Sequence, residues 1–341
     1  MRTCRWLVPL VVALVATGTP AVADVPRPEC RQVSAPVSVA PGQPLDQRIA
    51  GTLCLPRSRT TTVQLLMPGG YYGQEYWAVR GNPGKPSYVE TMQRAGYATL
   101  AIDRLGAGRS SRPPSERFAA QTHRDTMWQV IRQLRTGRLA GQPFDRVILA
   151  GHSFSSPLAE SITLAYPQDV DGIIYTGAGS KQNYAEFARL EAEGIHRANQ
   201  DPMFGHLGLD DGYLTTKPGT RPRWMTYGPT TAPSRIALDE AMKEPDVLPG
   251  YDAFPGLEDK RRITVPVLIV IGQRDILMCA PEALDCSSSQ ALMLSEGPWY
   301  GPRARLETAS IPNTGHSLNL HLTAPVWNEI ARSWMDRHFG R

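Results

Sequence analysis

The chain has 341 residues, a length typical of one enlarged α/β domain rather than of a small module. Hydrophobic residues make up 41% and charged residues 20% of the chain, which is the balance of an ordinary globular enzyme and excludes global disorder. The formal net charge is only +4 and the basic residues are scattered along the chain. We therefore expect no nucleic-acid partner.

The first 23 residues have the pattern of a secretory signal peptide. Arg2 and Arg5 give a positive start, residues 6–16 are mostly apolar, and small residues two positions apart precede a cleavage point after Ala23. The apolar run is shorter than the roughly 20 residues that a membrane-spanning helix requires. We expect cleavage near Ala23, a secreted protein and no stable membrane insertion. Loss of two arginines and no acid would lower the net charge from +4 to +2.

Apolar runs of strand length alternate with helical patterns, which predicts a mostly parallel central sheet with helices on both faces. Runs without polar alternation are expected for strands covered on both sides. The predicted strands are 49–55, 62–67, 97–102, 146–150, 172–176, 265–271 and 305–309. The predicted helices are 88–95, 122–136, 156–166 and 324–339.

Residues 181–262 break this alternation. They lack convincing strands, and amphipathic pieces such as 184–195 lie among many Gly, Pro, Asp and Asn residues. The segment is predicted to be an inserted cap over the carboxyl edge of the sheet, where open α/β sheets bind ligands. It would divide the core into 24–180 and 263–341. Five of its apolar residues either line a pocket or form the cap's own small core: Phe187, Met203, Phe204, Trp224 and Tyr227.

The strongest local motif is Gly-x-Ser-x-Ser at 151–155, between an apolar strand pattern and a helical pattern. This order is typical of a nucleophile elbow, in which a sharp turn lifts a serine hydroxyl above the sheet. Small residues are needed two positions before and after the serine because the turn brings these backbones together. Ser155 occupies the second position, where glycine is usual. The motif predicts Ser153 as a nucleophile.

From about residue 45 to the C-terminus the chain resembles the α/β-hydrolase superfamily, because several motifs occur in that family's order. The stretch LAIDRLGAGRS at 100–110 is similar to the family's turn after the fourth strand. Pro-Gly-Gly-Tyr at 68–71 stands where the family usually carries His-Gly, and Trp77 follows at the usual distance. The resemblance implies the α/β-hydrolase fold, with Asp103 as a structural turn residue.

The resemblance also implies a catalytic triad in the order Ser, Asp, His. Asp275 follows the strongest late strand pattern, where the family places its acid. His316 lies in Asn-Thr-Gly-His-Ser at 313–317, which is similar to the family's catalytic-histidine loop. In such a triad the histidine takes the proton of the serine, and the carboxylate holds the imidazole in the useful tautomer.

Two other histidines and one other aspartate compete for these roles. His152 adjoins the nucleophile, but neighbouring side chains diverge on a tight elbow, so it should pack locally. His321 lies past the loop that carries His316, and Asp285 lies between two cysteines. The seven histidines form no cluster with metal-ligand spacing, so we expect no metal and no organic cofactor.

Attack on an ester carbonyl places negative charge on its oxygen, which backbone N–H groups can stabilise. The N–H of Phe154, directly after the nucleophile, is one predicted donor of this oxyanion hole. The second should come from Gly70 or from Tyr71, and the spacing narrowly favours Gly70.

Five cysteines become four if Cys4 leaves with the signal peptide, and an even number in an exported chain predicts disulfides. Four cysteines allow three pairings, and free buried thiols are the alternative. We favour Cys30–Cys54 and Cys279–Cys286, since the second pair is close in sequence among small and turn-forming residues. A loop closed there would stiffen the support of Asp275.

The sequence predicts a secreted serine hydrolase that cleaves a small-molecule carboxylic ester or lactone through an acyl-serine intermediate. An acyltransferase or a secreted peptidase would use the same triad. A peptidase that trims N-termini should offer acids to the free amine, but the helical spacing of Glu186, Glu191 and Glu193 is typical of a solvated face. A non-catalytic binding protein on the same fold is the alternative from another class. The natural substrate and the oligomeric state stay open.

Overall fold

Eight strands form one sheet at the centre of the protein. The computed structural model describes residues 29–250 and 254–340, so the predicted signal peptide at 1–23 lies outside the described residues. The described strands are β1 (Glu29–Val37), β2 (Gln47–Leu55), β3 (Thr62–Met67), β4 (Ala98–Ile102), β5 (Arg146–His152), β6 (Gly172–Thr176), β7 (Ile195–Arg197), β8 (Leu214–Thr216), β9 (Val267–Gly272) and β10 (Glu307–Ile311).

The order of strands across the sheet is β1-β2-β4-β3-β5-β6-β9-β10. Strand β2 runs antiparallel to both of its neighbours, and every other pair is parallel. The mostly parallel sheet is the predicted one, and the seven predicted strands correspond to β2–β6, β9 and β10. Side chains of β3, β4 and β9 are buried throughout, as expected for strands covered on both faces.

Strand β1 does not appear among the predicted strands. It lies at the edge of the sheet, and its first four residues are exposed, so it carries little apolar signal. Strands β7 and β8 also escape prediction because each has only three residues, too few to show alternation. They pair with each other outside the central sheet.

Helices cover both faces of the sheet. Helix–helix contacts join α1 (Tyr88–Arg94) to α8 (Ala324–Phe339) and α2 (Thr122–Arg135) to α3 (Ser155–Ala165). A Cβ atom added to Gly172 of β6 would lie 2.6 Å from the ring of Phe339, so α8 packs closely on the sheet. The described α-helices are α1 (Tyr88–Arg94), α2 (Thr122–Arg135), α3 (Ser155–Ala165), α4 (Tyr184–Arg189), α5 (Arg221–Met225), α6 (Pro233–Ala241), α7 (Ser289–Glu296) and α8 (Ala324–Phe339).

Helix α1 shows how local sequence sets an element boundary. The Ser87 hydroxyl accepts the N–H of Glu90, while the Glu90 carboxylate accepts the N–H of Ser87. This reciprocal capping satisfies two donors at the helix start. In the part of the chain that the structure describes, no helix combines the length and the apolar character needed to cross a bilayer.

Residues 177–266 separate β6 from β9 and carry α4, α5, α6 and the β7–β8 pair. We call residues 177–266 the insertion; the cap predicted at 181–262 falls within it. Its own small apolar cluster contains Ala198, Phe204 and Tyr213.

Both favoured disulfides are present. Cys30 and Cys54 lie opposite one another in the β1–β2 ladder, with Cα atoms 4.1 Å apart. Cys279 and Cys286 close a short loop after β9, with Cα atoms 5.7 Å apart. The N–H of Cys279 donates to the carbonyl oxygen of Asp275 at 2.8 Å, so this loop is joined directly to the predicted acid.

Candidate active site

Ser153 lies on a strained turn at the carboxyl end of β5. Its φ is 49°, in the left-handed region that side chains other than glycine rarely adopt. A Cβ atom at Gly151 would lie 2.2 Å from the carbonyl oxygen of Ser155, so only glycine fits there. The backbone N–H of Ser153 donates to the carbonyl oxygen of Thr176 at 2.8 Å, which holds the turn against β6. The predicted strand, turn and helix therefore form an elbow.

The hydrogen bonds of Ser155 explain why serine stands here in place of the usual glycine. Its buried hydroxyl donates to the carbonyl oxygen of Pro68 at 2.5 Å and accepts a hydrogen bond from Arg104 at 3.1 Å. The Arg104 guanidinium also donates to the carbonyl oxygens of Pro68 and Gly69. Ser155 and Arg104 thus hold the loop at 68–71, which passes beside Ser153. In the sequence, one sign of this arrangement is an arginine two residues after the end of the buried strand β4.

The structure brings Ser153, His316 and Asp275 into one hydrogen-bonded chain. Nε2 of His316 lies 2.8 Å from Oγ of Ser153, and Nδ1 lies 2.8 Å from Oδ2 of Asp275. A carboxylate only accepts hydrogen bonds, so Nδ1 carries the hydrogen and Nε2 is left to accept from the serine hydroxyl. This is the tautomer that a general base at Nε2 requires.

Asp275 is buried, and both oxygens of its carboxylate are hydrogen-bonded. Its Oδ1 accepts the backbone N–H groups of Leu277 at 3.0 Å and Met278 at 3.2 Å, while Oδ2 faces His316. Both oxygens are therefore fixed, and the carboxylate cannot turn away from the imidazole.

The loop that carries His316 passes very close to the end of β9. A Cβ atom at Gly272 would lie 2.3 Å from the carbonyl oxygen of Thr314, so the approach requires glycine. Nε2 of His321 accepts the N–H of Gly315 at 3.0 Å and that of Tyr227 at 2.9 Å. Burial lowers the pKa of His321 to about 4, which keeps the ring neutral and able to accept both bonds. His321 thus supports the loop and does not contact Ser153.

His152 also packs away from the serine hydroxyl. Its Nδ1 lies 3.1 Å from Oγ1 of Thr176, and its ring stacks on Tyr76 with centroids 4.4 Å apart. Burial lowers the pKa of His152 well below the usual range, with neighbouring His316 as a further cause. Asp285, the other candidate acid, is exposed and accepts the N–H of Ser287 at 2.9 Å.

The three predicted oxyanion residues, Gly70, Tyr71 and Phe154, line the same cavity as Ser153. A Cβ atom at Gly70 would lie 3.9 Å from Cβ of Phe154, so the loop at 68–71 runs beside the start of α3. The N–H of Tyr71 donates to Oδ2 of Asp246 at 3.2 Å. Asp246 belongs to the insertion and forms a buried ion pair with Arg104.

A second contact joins the insertion to the residue after His316. The Tyr72 hydroxyl lies 2.8 Å from Oγ of Ser317 and donates to Asp239 at 2.5 Å. Arg221 holds Asp239 through two hydrogen bonds of 2.9 Å each. Burial raises the pKa of Tyr72 and keeps its hydroxyl protonated as a donor. No sequence pattern pointed to these residues, because they meet only in the fold.

The cavity above Ser153 has a volume of about 410 Å³ and lies between the sheet edge and the insertion. Of the five apolar residues singled out in the sequence, Phe187 lines this cavity. Phe204 and Trp224 are buried in hydrophobic clusters instead, and Met203 is 39% exposed. Tyr227 lies beside Arg274, whose guanidinium is 5.6 Å from the ring centroid.

Within residues 29–250 and 254–340, no three His, Cys, Asp or Glu side chains are grouped to hold a metal ion. The model of the alpha/beta hydrolase family matches residues 64–327, which include the elbow, Asp275 and His316. The chain belongs to the alpha/beta hydrolase family. Among curated proteins, no sequence matches this member of the family.

Solved structures similar to this family member include two esterases and one putative esterase. A thermophilic esterase from Thermogutta terrifontis has a TM-score of 0.58 and 15% identity, covering 90% of this chain and 99% of its own. A carboxylesterase from Bacillus subtilis has a TM-score of 0.56 and 14% identity, covering 91% and 92%. A putative aryl esterase from Burkholderia cenocepacia has a TM-score of 0.56 and 15% identity, covering 92% and 100%. Similarity at this identity establishes the fold and leaves the substrate open.

Proposed function

We propose that the protein is an exported serine hydrolase that cleaves a carboxylic ester or lactone with Ser153, His316 and Asp275. The observation that carries this proposal is the continuous chain of two 2.8 Å contacts from Asp275 through His316 to the Ser153 hydroxyl. A serine hydroxyl becomes an effective nucleophile when a base within hydrogen-bond reach removes its proton. The two disulfides support export, since such bonds persist in oxidising compartments.

The reaction proceeds in two halves. Oγ of Ser153 attacks the ester carbonyl while Nε2 of His316 takes its proton, and that proton then passes to the departing alcohol. Water next attacks the acyl-serine, giving its proton to His316, which returns it to Oγ as the carboxylic acid leaves. Asp275 stabilises the imidazolium that forms in each half.

We assign the oxyanion hole to the N–H groups of Phe154 and Gly70. Both residues line the cavity beside Ser153. The N–H of Tyr71 already donates to Asp246, which favours Gly70 over Tyr71 as the second donor. Removal of such a donor typically costs about 3–4 kcal/mol of transition-state stabilisation.

The alternative of a peptidase that binds a free amine through Glu186 has little support. The Glu186 carboxylate is already shared by Arg189, Arg223 and the indole N–H of Trp224. Acyl transfer would follow the same first half-reaction, with a second alcohol in place of water.

The test is hydrolysis of short-chain nitrophenyl esters by the wild type and by Ser153→Ala. We expect the substitution to abolish turnover while leaving the circular dichroism spectrum and the unfolding midpoint unchanged. Ser234→Ala, at an exposed serine in α6, is the matched control and should keep full activity. Turnover that survives in Ser153→Ala would remove the assignment of the nucleophile.

A further inference from the structure

The peptide that joins Gly69 to Gly70 lies directly beside Ser153. A Cβ atom at Gly69 would lie 3.2 Å from Cβ of Ser153. This peptide carries the N–H of Gly70, the proposed second oxyanion donor, and the carbonyl group of Gly69. In a planar trans peptide these two groups point in opposite directions. A contact that fixes the Gly69 carbonyl oxygen therefore also fixes the direction of the Gly70 N–H.

The guanidinium of Arg104 makes this contact. Its Nη1 donates to the carbonyl oxygen of Gly69 at 3.1 Å and also to that of Pro68. The centre of the same guanidinium lies 4.9 Å from the ring centroid of Phe154, whose N–H is the other proposed donor. Arg104 is fully buried, so it contacts both halves of the proposed oxyanion hole from behind.

Asp246, which belongs to the insertion, joins Arg104 to the next peptide of the loop. Its Oδ2 accepts a hydrogen bond from Nη2 of Arg104 and another from the N–H of Tyr71 at 3.2 Å. Arg104 thus holds the peptide before Gly70, while Asp246 holds both Arg104 and the peptide after Gly70.

Tyr71 has a backbone conformation that it would rarely adopt by itself. Its φ is 61°, and it stands third in a turn that the N–H of Tyr72 closes on the carbonyl oxygen of Gly69 at 3.3 Å. Its carbonyl oxygen accepts the N–H of Glu244 at 3.0 Å, so both backbone groups of Tyr71 are bonded to the insertion. A strained conformation persists only where the surroundings impose it. The insertion therefore maintains this turn.

Stability alone does not account for the buried pair. Arg104 and Asp246 are both fully buried, and the cost of taking two charges out of water can exceed what their attraction returns. Apolar side chains of similar volume often stabilise a fold equally well. An apolar pair, however, could neither donate to the Gly69 carbonyl oxygen nor accept the N–H of Tyr71.

We propose that Arg104 and Asp246 are positioning residues that aim the Gly70 N–H at the oxyanion, so that the insertion completes the site for the transition state. This rests on the proposed function of Ser153. Both side chains act through the backbone of residues 69–71 and not on the ester itself. Oxyanion donors bind the transition state more strongly than the ester, so their misplacement lowers kcat more than it changes KM.

The main test measures kcat and KM for nitrophenyl butyrate in Arg104→Met/Asp246→Leu, which removes both charges and leaves neither unpaired. We expect kcat to fall by about 10- to 100-fold, part of what the loss of a whole oxyanion donor costs, while KM stays nearly unchanged. Lys243→Met/Asp201→Leu is the matched control, because it removes another buried ion pair, which lies within the insertion itself. It should keep the wild-type kcat. An unchanged kcat in the first variant, or equal losses in both, would overturn the proposal.

Asp246→Asn separates positioning from stability. The amide oxygen can still accept the N–H of Tyr71, and Arg104 keeps its contact with Gly69, but the buried guanidinium loses its counter-charge. This variant should therefore be less stable than Arg104→Met/Asp246→Leu and yet have the higher kcat. The opposite order of kcat would mean that the pair affects the rate only through stability.

Arg104→Lys guards against misfolding of the double variant, because it keeps a positive charge beside Asp246. A single ammonium nitrogen does not replace the two guanidinium nitrogens, which contact Asp246 and Gly69 separately. We expect kcat to fall with KM nearly unchanged. A folded Arg104→Lys protein with the wild-type kcat would contradict the role of Arg104.

Crystal structures of the wild type and Arg104→Lys separate this inference from the proposed function. The peptide between Gly69 and Gly70 should be rotated in the variant relative to Ser153. If the wild type hydrolyses no ester but the peptide rotates in this way, only the proposed function fails. If esters are hydrolysed and the peptide keeps its orientation, only the positioning role fails.

Discussion

The core sheet and the insertion each form one wall of the cavity, but they hold their residues by different interactions. On the core side, backbone groups and close glycine contacts fix Ser153, Asp275 and His316 at the ends of strands. On the insertion side, buried ion pairs join distant residues, with Asp246 on Arg104 and Lys260 on Glu160. The core wall is built from local chain geometry, whereas buried ion pairs are among the contacts that attach the insertion.

This difference predicts two kinds of mutational effect. A substitution in the core wall should change the rate of reaction while the fold persists, because its neighbours are backbone groups that stay in place. A substitution in one of the ion pairs should mainly lower the free energy of unfolding, because it leaves a buried charge without its partner.

Among variants that keep Ser153, the largest effect on rate should come from Asp275→Asn on the core side. An amide can still accept the N–H groups of Leu277 and Met278, but it does not hold the imidazole in the required tautomer. We expect kcat for nitrophenyl esters to fall by about 10³–10⁴-fold with little change in stability. Asp285→Asn, at the exposed aspartate nearby, should leave kcat unchanged. Equal losses in the two variants would show that Asp275 does not serve His316.

The insertion side is tested by Asp246→Asn, which leaves Arg104 as an uncompensated buried cation. We expect the free energy of unfolding in urea to fall by about 3–5 kcal/mol. Asp211→Asn breaks an exposed pair with Arg197 and should cost at most about 1 kcal/mol. An unchanged free energy of unfolding in Asp246→Asn would mean that the buried pair does not anchor the insertion.

A contact between His123 of α2 and the insertion should make stability depend on pH. Its Nε2 lies 2.8 Å from the carbonyl oxygen of Val247 and donates to it. Burial, with Arg104 as the next cause, lowers the pKa of His123 from 6.5 to about 4. Below pH 6.5 the imidazole of His123 is therefore mostly protonated in the unfolded chain, whereas in the folded protein it stays mostly neutral down to about pH 4. Because the unfolded state binds more protons in this window, the free energy of unfolding falls as the pH falls from 6.5 to 4.

His123→Gln keeps the donor to Val247 and removes the titration. Between pH 6.5 and pH 4, the wild type should lose up to about 3 kcal/mol more unfolding free energy than this variant. His206→Gln, at an exposed histidine, is the control and should follow the wild type. Parallel curves for wild type and His123→Gln would contradict the lowered pKa.

The smallest predicted effects concern the two disulfides, of which only Cys279–Cys286 should affect kcat. Cys279→Ser/Cys286→Ser should lower the unfolding free energy by about 2–3 kcal/mol and also lower kcat, because the loop is bonded to Asp275. Cys30→Ser/Cys54→Ser lies at the β1–β2 edge and should lower stability alone. A kcat that falls equally in both variants would mean that the 279–286 loop has no specific role at the acid.

The core wall was the part that sequence could predict. Apolar runs located the inner strands, and the Gly-x-Ser-x-Ser motif located the elbow because one sharp turn requires small residues at fixed spacing. Strand β1 escaped because an exposed edge strand needs few apolar residues. The ion pairs could not be predicted because their partners are distant in the sequence. Arg104 and Asp246 are 142 residues apart, and Lys260 and Glu160 are 100 apart. In a single sequence each of these looks like an ordinary surface charge.

The central claim is that the Ser153 hydroxyl is an activated nucleophile, and covalent labelling tests it most directly. After exposure to a fluorophosphonate, peptide mass spectrometry should find one adduct, on Ser153, with none in Ser153→Ala. An unmodified wild type, or an adduct on another residue that persists in Ser153→Ala, would contradict the account.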